Sequence, residues 1–440
     1  MPGCFCGQTC ATSNYLFEAY TAVQAKEESD SMSRFDSYFQ MEAGDVKEYT
    51  LEKTGSMIAW DEASMEVIVP SEHGNLNYVY RVTDGMGHSI FVKQAGTETR
   101  ISKDMKPSKD RNRLEAEIIT LEDKLAPGMV PRIYFYDTVM CACGMEDCSD
   151  FQVMRSAMLK HEIYPHFAED ISEFLVNTLL LSSDLVMDHR EKKTLVGRFI
   201  SPDLCDITEK LVLMEPYMDI NHRNNVYPPN ADFVRRELYE DKALQLEVAK
   251  LKFAFMSNAQ ALIQGDLHTG SIFIKEGATK VFDSEFGTYA PMGYDTGNIV
   301  ANLIFAYDNG LAYGKREFCD WILKSVEEII DLFIMKFNRK YEEAVTEPMA
   351  KVPGFKAWYL AGILKDTAGY AGTELHRRTV GMANVVDVTQ IEDEHDRLMA
   401  ERINIYAGKD YILNAASYRC GRDFADAVRR AEQKAAESLS

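Results

Sequence analysis

The sequence predicts an α+β protein of two lobes: a small β-rich lobe with one helix, then a larger, mainly helical lobe that holds a short β-hairpin. Three observations carry this prediction. The chain has 440 residues, beyond the length at which one hydrophobic core usually stops growing. From about Glu66 to Val139, β-branched and aromatic pieces ("EVIVP", "YVYRV", "IFVK", "RIYFYDTV") alternate with Gly, Asp and Pro, as strands alternate with turns. After "MEDCSD" the apolar pattern lengthens to helical periods.

The elements follow in order. Residues 1–35, with "AKEESDSMSR" lacking an apolar period, are expected to form a loose extension. Residues 36–147 form the first lobe and its exit segment, and 148–440 the second. The one helix of the first lobe is "KDRNRLEAEIITLEDKL", where Leu114, Ile118, Leu121 and Leu125 line one face. In the second lobe, helices are expected over Glu169 to Met187, Val234 to Ile263, Asp320 to Val345, Lys356 to Val385 and Asp393 to Ala416. Among them lies the hairpin: "SIFI", a turn at Glu276-Gly277, and "KVFDSEF".

Composition narrows the function. With 46% hydrophobic and 27% charged residues the chain reads as globular. A formal net charge of −21 argues against a nucleic-acid partner, since phosphate-backbone binding needs a cationic surface. A nucleotide ligand would need local cations and a divalent metal to offset that field. No apolar run reaches the roughly 18–20 residues that cross a bilayer, and "MPGCFCGQTCATSN" lacks the features of a secretory signal, so no membrane partner and a cytoplasmic location are expected. The nine cysteines, including Cys4, Cys6 and Cys10 and Cys141, Cys143 and Cys148, read as free thiols rather than as a zinc site.

The acids of the hairpin region point to chemistry. In a strand, residues two apart share a face, so Asp283 and Glu285 would present two carboxylates to one point, with Phe282 and Phe286 turned into the core. Two hard oxygen ligands suit Mg²⁺ beside phosphate. Asp266, in the loop before the hairpin, would come near them and accept a proton from a substrate hydroxyl. The competing reading has Asp266 capping a turn and the other two acids on a solvated strand face. In the first lobe, a tight turn at Gly74 to Asn77 would bring backbone N–H groups to phosphates, with Lys93 beside them and Glu115 orienting it. An ordinary exposed ion pair is the plainer reading of those two. Arg377 and Arg378, consecutive on a helix, point about 100° apart and by themselves read as surface or helix-end charges.

"NLNYVYRV…FVKQA", "DRNRLEAE", "MEDCSD", "SPDLCDITEKLV", "GDLHTGSIFI", "FDSEFGTYAPMGYDTGN" and "ELHRRTVGMANV", in unbroken order from Asn75 to Asp387, closely resemble the methylthioribose kinases of methionine salvage. Those enzymes are a branch of the protein-kinase-like superfamily that includes aminoglycoside and choline kinases. The resemblance implies a protein-kinase-like two-lobed fold and ATP-dependent phosphorylation of the 1-hydroxyl of methylthioribose, with ATP and Mg²⁺ as cofactors and a homodimer as the assembly. It implies that Gly74, Asn75 and Asn77 meet ATP, that Lys93 with Glu115 holds phosphates, and that Met145, Glu146 and Asp147 form the adenine-binding hinge. Asp266 would be catalytic and touch the sugar, Asp283 and Glu285 would hold Mg²⁺, and Arg377 and Arg378 would reach the substrate and the transferring phosphoryl group. Three places depart from the family pattern: Glu72-His73-Gly74 where Gly-Asp-Gly is usual, Gln264 where His is usual, and "RISKDMKPSKD" in place of a Trp-containing loop. Two further readings remain beside this one: a kinase of the same fold for another pentose, choline or an aminoglycoside, and a kinase-like binding protein that no longer transfers phosphate.

Overall fold

The computed structural model describes residues 33–70, 77–96 and 110–440. They form two compact units, one up to Asp150 and one from Phe151 onward.

The first unit contains α1 (Ala43–Thr54), β1 (Glu66–Ile68), β2 (Asn77–Thr83), β3 (Ser89–Ala95), α2 (Asp110–Leu125), β4 (Ile133–Asp137) and β5 (Ala142–Glu146). The five strands make one antiparallel sheet in the order β1-β2-β3-β5-β4. Period-two alternation decides what β3 does. Ile90 and Val92 are buried in the core with Val82 and Ala142, which leaves Lys93 to the opposite face. Among the described residues this unit has two α-helices, not the one that was expected. α1 was missed because charged residues break up its apolar positions. It nevertheless buries Val46 and Tyr49, and Tyr49 meets Phe35 edge to face with ring centroids 4.9 Å apart. The apolar face expected of α2 is present: Leu114, Ile118 and Leu121 are buried.

The second unit contains β6 (Gln152–Val153), α3 (Phe167–Leu181), α4 (Lys242–Ser257), β7 (Ala261–Ile263), β8 (Ile272–Lys275), β9 (Ala278–Val281), β10 (Thr288–Ala290), α5 (Gly293–Ala312), α6 (Arg316–Ala344), α7 (Phe355–Val380), α8 (Glu394–Leu413) and α9 (Gly421–Leu439), with short helices between. The helix expected over Val234 to Ile263 is split. Asp241 caps α4, accepting from the Leu244 N–H at 3.0 Å, and Ala261–Ile263 is a strand paired with β10. The hairpin β8–β9 turns at Glu276-Gly277, Lys275 pairing Ala278, and β6 adds a third strand.

α5 is the axis of this unit, buried from Gly293 to Gly310. It escaped the sequence reading because a helix buried on all sides need not divide into an apolar and a polar face. Gly297 lets it press on α7, since a Cβ there would lie 2.6 Å from the Ala371 nitrogen.

Candidate active site

The site in the second unit is built from two chain reversals and two helices, α5 and α7. Gly265 has φ +86°, and a Cβ on it would sit 2.2 Å from the Phe286 carbonyl oxygen, so only glycine permits the loop before β8 to touch the segment after β9. Asp295, in the first turn of α5 and fully buried, accepts from the N–H groups of Gln264 (2.7 Å) and Gly265 (3.1 Å). Burial pushes its carboxyl up to about 7 against the pull of those two bonds. Gln264 bridges the two reversals. Its Nε2 donates to the carbonyls of Phe282 (3.2 Å) and Asp283 (3.0 Å), while its Oε1 accepts from the N–H of Asp266 at 2.8 Å. Ser271 closes the loop by donating to the Asp266 carbonyl at 3.0 Å.

The Asp266 side chain is therefore delivered on a fixed backbone. Arg377 Nη2 donates to Oδ1 at 2.7 Å, Arg378 Nη2 lies 3.5 Å from the same oxygen, and His268 Nε2 lies 3.3 Å from Oδ2. Burial alone would make this carboxyl a weaker acid, but His268 and the two arginines outweigh it and hold its pKa well below the ordinary range. Asp266 is thus an ionised acceptor at neutral pH and not a turn cap. A cavity of about 150 Å³ adjoins it, lined also by Arg377 and by the apolar Ile207, Leu211, Val212 and Met382.

Asp283 and Glu285 are arranged differently from the expectation. The strand ends at Val281, Asp283 takes a left-handed conformation (φ 65°), and Ser284–Phe286 is a 3-10 turn. The two acids therefore flank a bend, and strand alternation does not place them. The cause is the Gln264 amide, which takes the carbonyls a partner strand would have used, together with the close approach at Gly265. Phe282 stacks on Phe273 with ring centroids 3.9 Å apart, which fixes one side of the bend. Two carboxylates one residue apart on a pinned bend are a hard-oxygen donor set, and that chemistry fits Mg²⁺.

The other expected station lies in the first unit. Lys93 Nζ donates to both carboxylate oxygens of Glu115, at 2.8 and 2.7 Å. Glu115 is 2% exposed and Lys93 14%, so the pair is not the exposed one of the plainer reading. Asn77 opens β2 and accepts from Arg111 Nη2 at 3.1 Å. Met145 and Glu146 end β5, and Asp147 accepts from Arg81 Nε at 2.6 Å and from the Ser149 N–H at 2.8 Å. Gly74, Asn75 and the Glu72-His73-Gly74 departure lie outside the described residues.

Several contributors were missed in the sequence. Asp295, His268 and Arg155 gave no separate signal. Glu374 did: it precedes Arg377 and Arg378 by three and four positions, the spacing at which helical side chains meet.

An ionised acceptor flanked by two arginines, two carboxylates on a pinned bend and a buried lysine–glutamate pair on a β-rich unit are groups of the kinds a small-molecule kinase requires. Sequence relatives narrow the class. The chain is 40% identical over 349 residues to methylthioribose kinase of Erwinia tasmaniensis, covering 78% of this chain and 87% of that protein. It is 37% identical over 349 residues to that of Yersinia pseudotuberculosis (78% and 85%) and 36% over 363 residues to that of Cronobacter sakazakii (81% and 90%). The chain belongs to the methylthioribose kinase family. No family model matches it. Among solved structures it is similar to an ethanolamine kinase of Plasmodium vivax (TM-score 0.43, 12% identity, 99% of this chain and 98% of that one). It is also similar to a choline kinase of Cryptosporidium parvum (TM-score 0.45, 11% identity, 90% and 97%).

Proposed function

We propose that the protein transfers the γ-phosphoryl group of ATP to the 1-hydroxyl of S-methyl-5-thioribose, giving S-methyl-5-thioribose 1-phosphate and ADP in methionine salvage. The observation that carries this reading is Asp266, held ionised by His268, Arg377 and Arg378 at a cavity whose lining joins Asp266 and Arg377 to Ile207, Leu211, Val212 and Met382. A sugar bearing an apolar thioether needs both kinds of wall. The sugar hydroxyl donates to Asp266, which orients it and takes its proton as the bond to phosphorus forms. Arg377 and Arg378 stabilise charge on the transferring group. Lys93, oriented by Glu115, holds phosphate oxygens; Gly74, Asn75 and Asn77 contact the nucleotide; and Met145, Glu146 and Asp147 form the adenine-side segment. Asp283 and Glu285 hold Mg²⁺, which neutralises phosphate charge when bound. Catalysis is then positioning and charge neutralisation more than covalent chemistry.

A cytoplasmic location and a homodimer belong to the same reading. No helix among the described residues is long and apolar enough to cross a membrane. The test is a coupled ADP-release assay with Mg-ATP and methylthioribose beside ribose and choline. Turnover confined to methylthioribose is the expected result, and equal turnover on choline would overturn the acceptor assignment.

A further inference from the structure

Arg377 and Arg378 pose a geometric problem. Neighbouring residues on a helix diverge by about 100°, yet both guanidinium groups reach the same oxygen of Asp266. Glu374 resolves it. One turn earlier on α7, it lies about 60° from Arg377 and about 40° from Arg378 in projection, between the two. Its carboxylate is fully buried, with Oε2 accepting from Arg377 Nε and Oε1 from Arg378 Nε at 3.2 Å. With each Nε tied to one oxygen, the Nη2 groups swing toward Asp266.

The clamp is itself braced. Asn302 of α5 donates to Glu374 Oε1 at 3.3 Å, and Asn302 accepts from Arg155 Nη2 at 3.1 Å. Arg155 Nε in turn donates to Thr269 Oγ1 (3.3 Å), in the loop after Asp266, and lies 3.5 Å from Asp387. Despite full burial, the nearby arginines keep Glu374 below the usual carboxylate range. Two carboxylates, Asp266 and Glu374, therefore face two guanidinium groups, and that balance makes the burial tolerable.

We propose that Glu374 is the positioning residue that converts two divergent arginines into one jaw facing the transferring phosphoryl group. This rests on the kinase reading above. Without Glu374 the arginines lose their common anchor, and at least one turns from the site or folds fully onto Asp266. Glutamine is not a neutral replacement. Its one oxygen satisfies a single Nε–H, and its NH₂ confronts the other guanidinium with a second donor.

The experiment compares Glu374→Gln and Glu374→Asp with the unaltered protein. Expected for Glu374→Gln are a kcat lower by about a hundredfold, the size of losing one oriented transition-state donor, and Mg-ATP affinity by calorimetry within about threefold. Glu374→Asp, which keeps the charge, should recover about tenfold of the lost kcat. Phenylglyoxal, which attacks free guanidinium groups, gives a readout independent of substrate. Mass spectrometry of the Arg377–Arg378 peptide should show slow modification in the unaltered protein and modification about tenfold faster in Glu374→Gln. Failure of the unaltered protein to phosphorylate methylthioribose, with this difference intact, would remove the sugar assignment and keep the clamp. Equal modification rates, a kcat within threefold of the unaltered protein, or equal losses in both variants would overturn the clamp. Should Glu374→Gln not fold, the same two readouts on Glu374→Asp decide it, unchanged values again overturning the proposal.

Discussion

The two charged stations of the molecule solve the same problem in different ways. In the first unit, Lys93 and Glu115 form one bidentate pair on a strand and a helix. In the second, Asp266 belongs to a chain of shared contacts that runs through Arg377 and Arg378 to Glu374, Asn302 and Arg155. In the pair, removing one partner takes away both of its bonds to the other buried group at once. A network redistributes: without Asp266, Arg377 still has Glu374. Stability and activity should therefore respond in opposite order at the two stations.

The largest effect expected is on activity. Asp266→Asn should lower kcat by about a thousandfold, close to 4 kcal/mol of barrier, while shifting the urea-unfolding free energy by no more than about 1 kcal/mol. Full turnover by the purified variant would end the assignment of Asp266. Lys93→Met reverses the balance. It removes both bonds to the buried Glu115 carboxylate and should cost about 3 kcal/mol of stability in urea melts; a loss no greater than that of Asp266→Asn would show that the two stations do not differ in this respect.

Acid sharpens the contrast. His376, beside the arginines on α7, is fully buried between the Tyr217 hydroxyl (3.0 Å) and the Ile405 carbonyl (3.1 Å), and burial pushes its ring down to about 4. Between pH 4 and the ordinary value near 6.5, the unfolded chain binds a proton the folded one refuses, so stability is full above about 6.5 and falls as pH drops. The loss attributable to this group is about 3 kcal/mol. It is read as the difference between the unaltered protein and His376→Gln in urea melts at pH 7 and pH 4.5; parallel slopes in the two would exclude it.

The smallest effect concerns Gln264, which joins the Asp266 loop to the Asp283 bend. Gln264→Leu should lower kcat about fivefold, near 1 kcal/mol, and raise the Mg²⁺ concentration needed for half-maximal rate. Gln264→His, which restores a polar ring, should recover part of both. An unchanged Mg²⁺ requirement in Gln264→Leu would separate the bend from the metal-type acids.

Much of this was legible because local rules bind local residues. Clustered β-branched and aromatic residues marked the strands of the first unit, helical spacing gave α2 its apolar face, and a glycine turn gave the β8–β9 hairpin. The bend at Asp283 was not legible, since its cause is a side chain 19 positions earlier. α5 hid for a different reason: a helix enclosed on every side carries no stripe for the eye to follow.

The amino-acid order by itself determined most of the strands of the first unit, the apolar face of α2 and the β8–β9 hairpin, and which residue types are present to bind phosphate, metal and a hydroxyl, because those properties depend on neighbours within a few positions. Tertiary structure alone decided that Asp266 stays ionised and that Asp283 and Glu285 flank a bend. Each of these results from burial and from hydrogen bonds between residues far apart in the chain, and neither exists until the chain has folded.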